Sequence, residues 1–252
     1  HDNMTEKNLE KRFWRKFENR NEEEFRKKIL ESKTIVLKFG TSSITTNNRI
    51  DEEKIEKIAR LVSKLIDRKN IVIVSSGAVA CGMEENNLIT RPSDVNELQD
   101  LAAEGQPILM EKYRKAFKKY DNNLSVWQIL LTHHNFRSEA ERMNLIARIK
   151  SAFKKRKIPI INTNDPVTNE ELVPKDGISF TDNDPLSALV AKSIEADLLV
   201  IVSNPGNLGT GGKNSKIKAI KIAKSHPSMI VGICKFEELE SFLNGEKVGD
   251  IY

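Results

Sequence analysis

Apolar positions along the chain repeat with two different periods, and the change between them divides the sequence. Leu9, Phe13 and Phe17 recur every fourth residue, and Phe25 and Ile29 repeat the step, with charges of both signs between them. That spacing predicts a helix over 5–31 that docks its Leu9/Phe13/Phe17 face on protein. A lipid surface is the poorer target, because Glu22, Glu23 and Glu24 dilute the basic face. From Lys33 onward, short apolar runs alternate with amphipathic stretches. The runs at Thr34–Phe39, 71–74, 125–131, 158–161, Leu198–Val202 and 229–233 predict strands. Helical faces at 51–68, 98–120, 138–156, 185–195 and 213–225 lie between them. Such alternation predicts an α/β fold, a three-layer α/β/α sandwich with a mainly parallel central sheet. Ligands of such sheets bind beyond the C-terminal strand ends. The expected organisation is a helical extension over 1–32 and one α/β domain over 33–252.

Composition narrows the partners. Apolar residues make up 38% of the 252, enough for a core of this size. The net charge of +5, from 41 Lys+Arg against 36 Asp+Glu, is too small and dispersed to argue for nucleic acid. It suits attraction to anionic small molecules. Cys81 and Cys234 lie outside any CxxC or Cys/His cluster, so neither a zinc site nor a disulfide framework is expected. Each reads as a small buried hydrophobe in a reducing compartment. No apolar run approaches the ~20 residues that span a bilayer, and the N-terminus has no apolar signal core. A cytoplasmic protein without a membrane partner is the expectation.

The polar clusters fall at predicted strand ends. Lys38, followed by Gly40, Thr41, Ser42 and Ser43, offers a cation, a close-approach glycine and hydroxyl donors for an anion. It is not the Walker pattern, and a strand-terminal lysine is more often solvated. Residues 75–82, SSGAVACG, form a small-residue loop opening a helix. It suits either a ligand lying on the backbone or tight helix–sheet packing. Two acid–amide clusters, 162–165 and 181–184, are ordinary turn and cap chemistry taken singly. Together they suit an ammonium, a lysine or a water-bound Mg²⁺. Gly206 to Lys216 is glycine-rich and runs into a helix with a lysine, which favours phosphates over a plain surface loop.

These motifs, in this order, resemble the glutamate 5-kinases of the amino acid kinase superfamily from about residue 33 to 252. The matching stretches include VLKFGTSS, IVSSGAVACG, LAAEGQPILMEKY, IPIINTNDPV, FTDNDPLSALVA and GTGGKNSKIKAIKIA. The resemblance implies an amino acid kinase fold. It also implies ATP-dependent phosphorylation of the glutamate γ-carboxylate, the first step of proline biosynthesis. Mg²⁺ would be held mainly by ATP, with no protein ligand assigned. It makes Lys38 and Lys216 the catalytic cations. Nucleotide binding falls to Lys38, Gly40, Ser203, Asn204, Thr210, Gly211, Gly212, Lys213, Asn214, Ser215 and Lys216. Substrate binding falls to Ser76, Gly77, Asp165 and Asn183, supported by Asp182 and Asp184. A homo-oligomer, functional coupling to a glutamyl phosphate reductase and the absence of the C-terminal PUA domain of many bacterial members are further expectations. Asn204 stands where the family usually has aspartate, and the segment before the GTGG loop is short. A kinase of another acidic amino acid or of carbamate, and a non-catalytic sensor, stay open as alternatives.

Overall fold

The computed structural model describes residues 6–168, 183–203 and 213–252. Seven strands form one sheet: β1 (Thr34–Phe39), β4 (Asn70–Ser75), β5 (Val126–Leu131), β6 (Ile158–Thr163), β7 (Leu198–Val202), β8 (Ile230–Cys234) and β9 (Asp250–Ile251). Their spatial order is β5-β6-β4-β1-β7-β8-β9, all parallel except β9, which runs antiparallel to β8. A separate hairpin joins β2 (Thr45–Thr46) and β3 (Arg49–Ile50). The helices are α1 (Glu6–Arg15), α2 (Glu22–Glu31), α3 (Thr41–Ile44), α4 (Glu52–Leu65), α5 (Ala78–Glu85), α6 (Val95–Tyr120), α7 (His134–Arg137), α8 (Glu139–Lys154), α9 (Asp184–Ser193), α10 (Lys213–Lys224) and α11 (Leu239–Leu243).

Because strand side chains alternate, each buried strand feeds two cores. Ile35, Leu37 and Phe39 of β1 join Ile58 of α4, Tyr113 and Phe117 of α6, and Phe242 of α11. Val36 points the other way, into a core with Leu145 of α8, Leu186 of α9 and Ile220 of α10. This is the expected three-layer sandwich. Lys38 shares the alternation of Val36, so the sequence places it on the face covered by α9 and α10. The two cysteines are buried and free, as expected.

Helices α5 and α6 meet backbone to backbone. A Cβ on Gly82 would collide with the Leu101 carbonyl, and one on Gly105 with the Ala78 carbonyl. Glycine at both places lets α6 lie against the start of α5. Its neighbour Gln106 is thereby brought, 6% exposed, to the strand ends.

The N-terminal region departs from the expected single helix. It breaks at residues 16–21 because Asn21 starts a new helix, its side chain accepting from the Glu24 amide. Phe13 and Trp14 pack on the core shared with α10, whereas Ile29 and Phe25 join the opposite core. The two helices therefore straddle the β9 edge of the sheet. Leu9 is 51% exposed, so the docked face is Phe13/Trp14/Phe17 and not Leu9/Phe13/Phe17. No helix among the described residues is long and apolar enough to cross a membrane.

Candidate active site

The C-terminal ends of β1, β4, β6 and β7 lie side by side, with Phe39 level with both Ser75 and Val202. Lys38 is 1% exposed there, on the α9 side. Its Nζ lies 2.7 Å from Oδ1 of Asp184, the first residue of α9. Lys216, at the fourth position of α10, reaches the other oxygen, with Nζ 3.6 Å from Oδ2. Ser215 donates its hydroxyl to the same Oδ2 at 3.1 Å. Asp184 is wholly buried, which by itself would raise its carboxyl. Lys38, Lys216 and the hydrogen bonds from Lys38 and Ser215 outweigh burial and hold it below the usual carboxylate range. The start of α9 adds to this, since a helix N-terminus favours negative charge. Lys216 is opposed by the same dipole at the start of α10, so its position makes sense only beside an anion. One carboxylate thus faces two ammoniums at the strand ends, one on each oxygen.

The expected loop 40–43 contains a helical turn, α3, that opens after Gly40; Ser43 ties it to β7 through the Val202 carbonyl at 3.0 Å. Similarly, the loop expected over 75–82 is shorter. Only Ser76 and Gly77 are loop, because α5 begins at Ala78 with Gly77 as its left-handed N-cap (φ 118°). That φ suits glycine alone. Ser203 closes β7 and donates its backbone N–H to the Cys234 carbonyl.

A second set of polar groups lies at the ends of β4 and β6. Asn183, 3% exposed, donates Nδ2–H to Ser76 Oγ at 3.1 Å and to Asn162 Oδ1 at 2.7 Å. Thr163 donates its hydroxyl to Asn183 Oδ1 at 2.8 Å. Asp165 is buried two residues beyond β6, its amide bonded to the Thr163 carbonyl and its carbonyl accepting from Gln99. No cluster of three His, Cys, Asp or Glu residues able to hold a metal ion occurs among the described residues.

The amino acid kinase family model matches residues 33–225. The chain belongs to the amino acid kinase family. Curated relatives agree. A protein named glutamate 5-kinase from Ligilactobacillus salivarius (strain UCC118) is 33% identical, over 89% of this chain and 97% of that one. Its namesake from Clostridium perfringens (strain 13 / Type A) is 32% identical, over 90% and 97%. The namesake from Thermoanaerobacter sp. (strain X514) is 34% identical, over 86% and 67%. Among solved structures, the Giardia carbamate kinase superposes with a TM-score of 0.60 at 14% identity, over 87% of this chain and 98% of that one. The Ureaplasma parvum UMP kinase gives 0.56 at 14%, over 87% and 98%. These two bear on the fold alone.

Within this family member, the fold brings together Lys38, Asp184, Ser215 and Lys216 in one group, and Ser76 and Asn183 in another. Gly40, Gly77, Asp165 and Ser203 border the same strand ends, whereas Asn214 is exposed on α10 and lines a surface groove with Leu9 and Phe13 of α1. Asp182, Asn204, Thr210, Gly211, Gly212 and the Lys213 side chain lie outside the described residues. Sequence reading gave Asp184 only a supporting place, although it is the hub of the charged group. It gave Asn162 and Thr163 no individual role and did not find Gln106.

Proposed function

We propose that this chain is a glutamate 5-kinase, transferring the γ-phosphoryl of ATP to the side-chain carboxylate of glutamate. One observation carries the reading: two lysines from strand β1 and helix α10 converge on the single carboxylate of Asp184. The relatives' names point the same way. A glutamate γ-carboxylate, with a pKa of about 4.3, is already ionised at neutral pH, so no general base is needed. Its oxygen attacks the γ-phosphorus while the bond to the bridging oxygen breaks, giving glutamyl 5-phosphate and ADP. Charge spreads over the transferring oxygens, and what the protein contributes is position and compensating charge. Lys38 and Lys216 supply that charge from fixed positions. Both oxygens of Asp184 face cations, so Mg²⁺ fits as an ion brought in by the ATP phosphates, where it neutralises their charge. Ser76, Asn183 and Asp165 take the amino acid, Asp165 by pairing with its ammonium. The acyl phosphate product hydrolyses readily, which favours handing it to a reductase.

Coupled ADP release with glutamate, aspartate and N-acetylglutamate tests this. Turnover is expected with glutamate far above the other two. Preference for another acid would move the substrate assignment. Nucleotide binding without ADP release from any of them would make the chain a sensor.

A further inference from the structure

Resting on the reading above, we infer that Asn162, oriented by the Thr163 backbone N–H and braced from behind by Gln106 and Gln128 in a relay of side-chain amides, fixes which way the substrate-facing groups Asn183 and Ser76 present their hydrogens. Its polarity is set at one point. The backbone N–H of Thr163 donates to Asn162 Oδ1 at 2.8 Å. A backbone N–H can only donate, so that side of Asn162 must be oxygen. The Nδ2 of Asn162 then faces Gln106, which has to offer Oε1, at 2.9 Å. Gln106 in turn directs Nε2 at Gln128 Oε1, at 3.0 Å. On the other branch, Asn162 Oδ1 accepts from Asn183 Nδ2, which leaves Asn183 Oδ1 for the Thr163 hydroxyl. The second hydrogen of Asn183 Nδ2 goes to Ser76 Oγ. The Ser76 oxygen is thereby an acceptor from the protein, and its own proton is left to donate. A donor held in that sense suits an acceptor oxygen on the ligand, and an ionised carboxylate more strongly than a neutral carbonyl.

The relay straddles the end of β6. Asn162 lies on the α6 side with Gln106, and Thr163 on the α9 side with Asn183. Gln106, Asn162, Thr163 and Asn183 are each at most 6% exposed, so water cannot replace a missing partner without cost. Gln128 ends the chain of amides on the edge strand β5, in contact with solvent. Gln106 and Asn162 are positioning residues: they act on the substrate only through Asn183 and Ser76.

The test uses Gln106→Leu, which removes the acceptor for Asn162, and Gln106→Glu, which keeps it. In Gln106→Leu the KM for glutamate should rise about tenfold, as expected for one misdirected buried hydrogen bond, while the KM for ATP stays within about twofold. Gln106→Glu should recover most of the loss. Gln128→Ala, at the exposed end, should move the glutamate KM in the same direction by about two- to threefold. Side-chain amide spectra of the unliganded protein supply a readout that needs no substrate. The Asn162 and Asn183 amides should be protected from exchange in the wild type and in Gln106→Glu, and unprotected in Gln106→Leu. A folded Gln106→Leu with wild-type KM and protected amides would overturn the relay. Equal rises in both KM values, or wild-type amides that exchange as fast as exposed ones, would do the same. Absence of glutamate turnover in the wild type would sink the substrate assignment alone, and the amide spectra would still decide the relay.

Discussion

Two sets of wholly or half-buried cations among the described residues are satisfied mainly by different partners. At the strand ends, Lys38 and Lys216 share the carboxylate of Asp184. At the opposite edge, Arg26 gives hydrogen bonds to the carbonyls of Glu246, Val248 and Gly249, with Glu22 as its carboxylate partner. Lys224 gives its own to Pro227 and Met229, and Arg20 lies over the rings of Phe17 and Phe25. Carbonyls and rings hold a cation through geometry that an incoming anion cannot reproduce. A shared carboxylate holds it through charge, which an incoming phosphate can match. The first pair is thus held mainly by a shared charge, the second group mainly by carbonyls and rings.

The comparison breaks most sharply at the lysines. Lys38→Met and Lys216→Met should each cut turnover by about 10³-fold or more, because charge stabilisation is the main service to phosphoryl transfer. The double variant should be far less impaired than the product of the two. Single-turnover ADP release measures both, and near-normal turnover in either single variant would dissolve the shared role. Next is Asp184→Asn, which removes the carboxylate charge facing two buried ammoniums and should lower stability by about 3–5 kcal/mol in urea unfolding. Its folded carboxyl titrates below the usual 3.8, so its contribution is complete above that value. The contribution is lost as pH falls through the lower folded pKa, and the variant should lack this acid-sensitive phase.

On the tethering side the effects are smaller and leave turnover intact. Trp14→Ala, half-buried against the α10 core and Tyr252, should cost about 2 kcal/mol, below the price of a full core position. Lys224 adds a pH effect. Burial, with Arg20 and Lys16 nearby, pulls its ammonium down to about 8 from 10.5. The unfolded chain holds that proton more tightly, so stability should rise as pH climbs between those values. The urea midpoint of Lys224→Met should lack that increment, and parallel profiles would remove Lys224 as its source.

What the sequence disclosed follows from how local each signal is. Thr34–Phe39 and Leu198–Val202 stand out as strands with their observed limits, because apolar runs flanked by polar residues need no distant partner to be read. The alternation through Val36 also puts Lys38 on the α9 face. The N-terminal break was legible too: Asn21 with Glu24 three residues later is a helix-start pattern, hidden by an apolar step of four that continues across it. Gln106 carried no local signal. Its place depends on Gly82 and Gly105 letting two helices touch, a contact between residues 23 positions apart. The amide relay likewise joins residues 106, 128, 162 and 183, none of which implies another. The short antiparallel β9 escaped notice because two residues carry no period.

The strap around β9 has a consequence for the order in which the molecule can form. Arg20, between α1 and α2, and Arg26 of α2 bond carbonyls of Ile251, Glu246, Val248 and Gly249, more than two hundred residues later. During synthesis, α1 and α2 emerge early with no surface to receive them. They must wait while the strands between are made, and the loop they close is among the longest the chain can form. Docking of this segment is expected to come late. Contacts formed after the rate-limiting step slow unfolding more than they speed folding. A segment that docks after the sheet is built would act as the clasp that sets how long the finished domain stays folded.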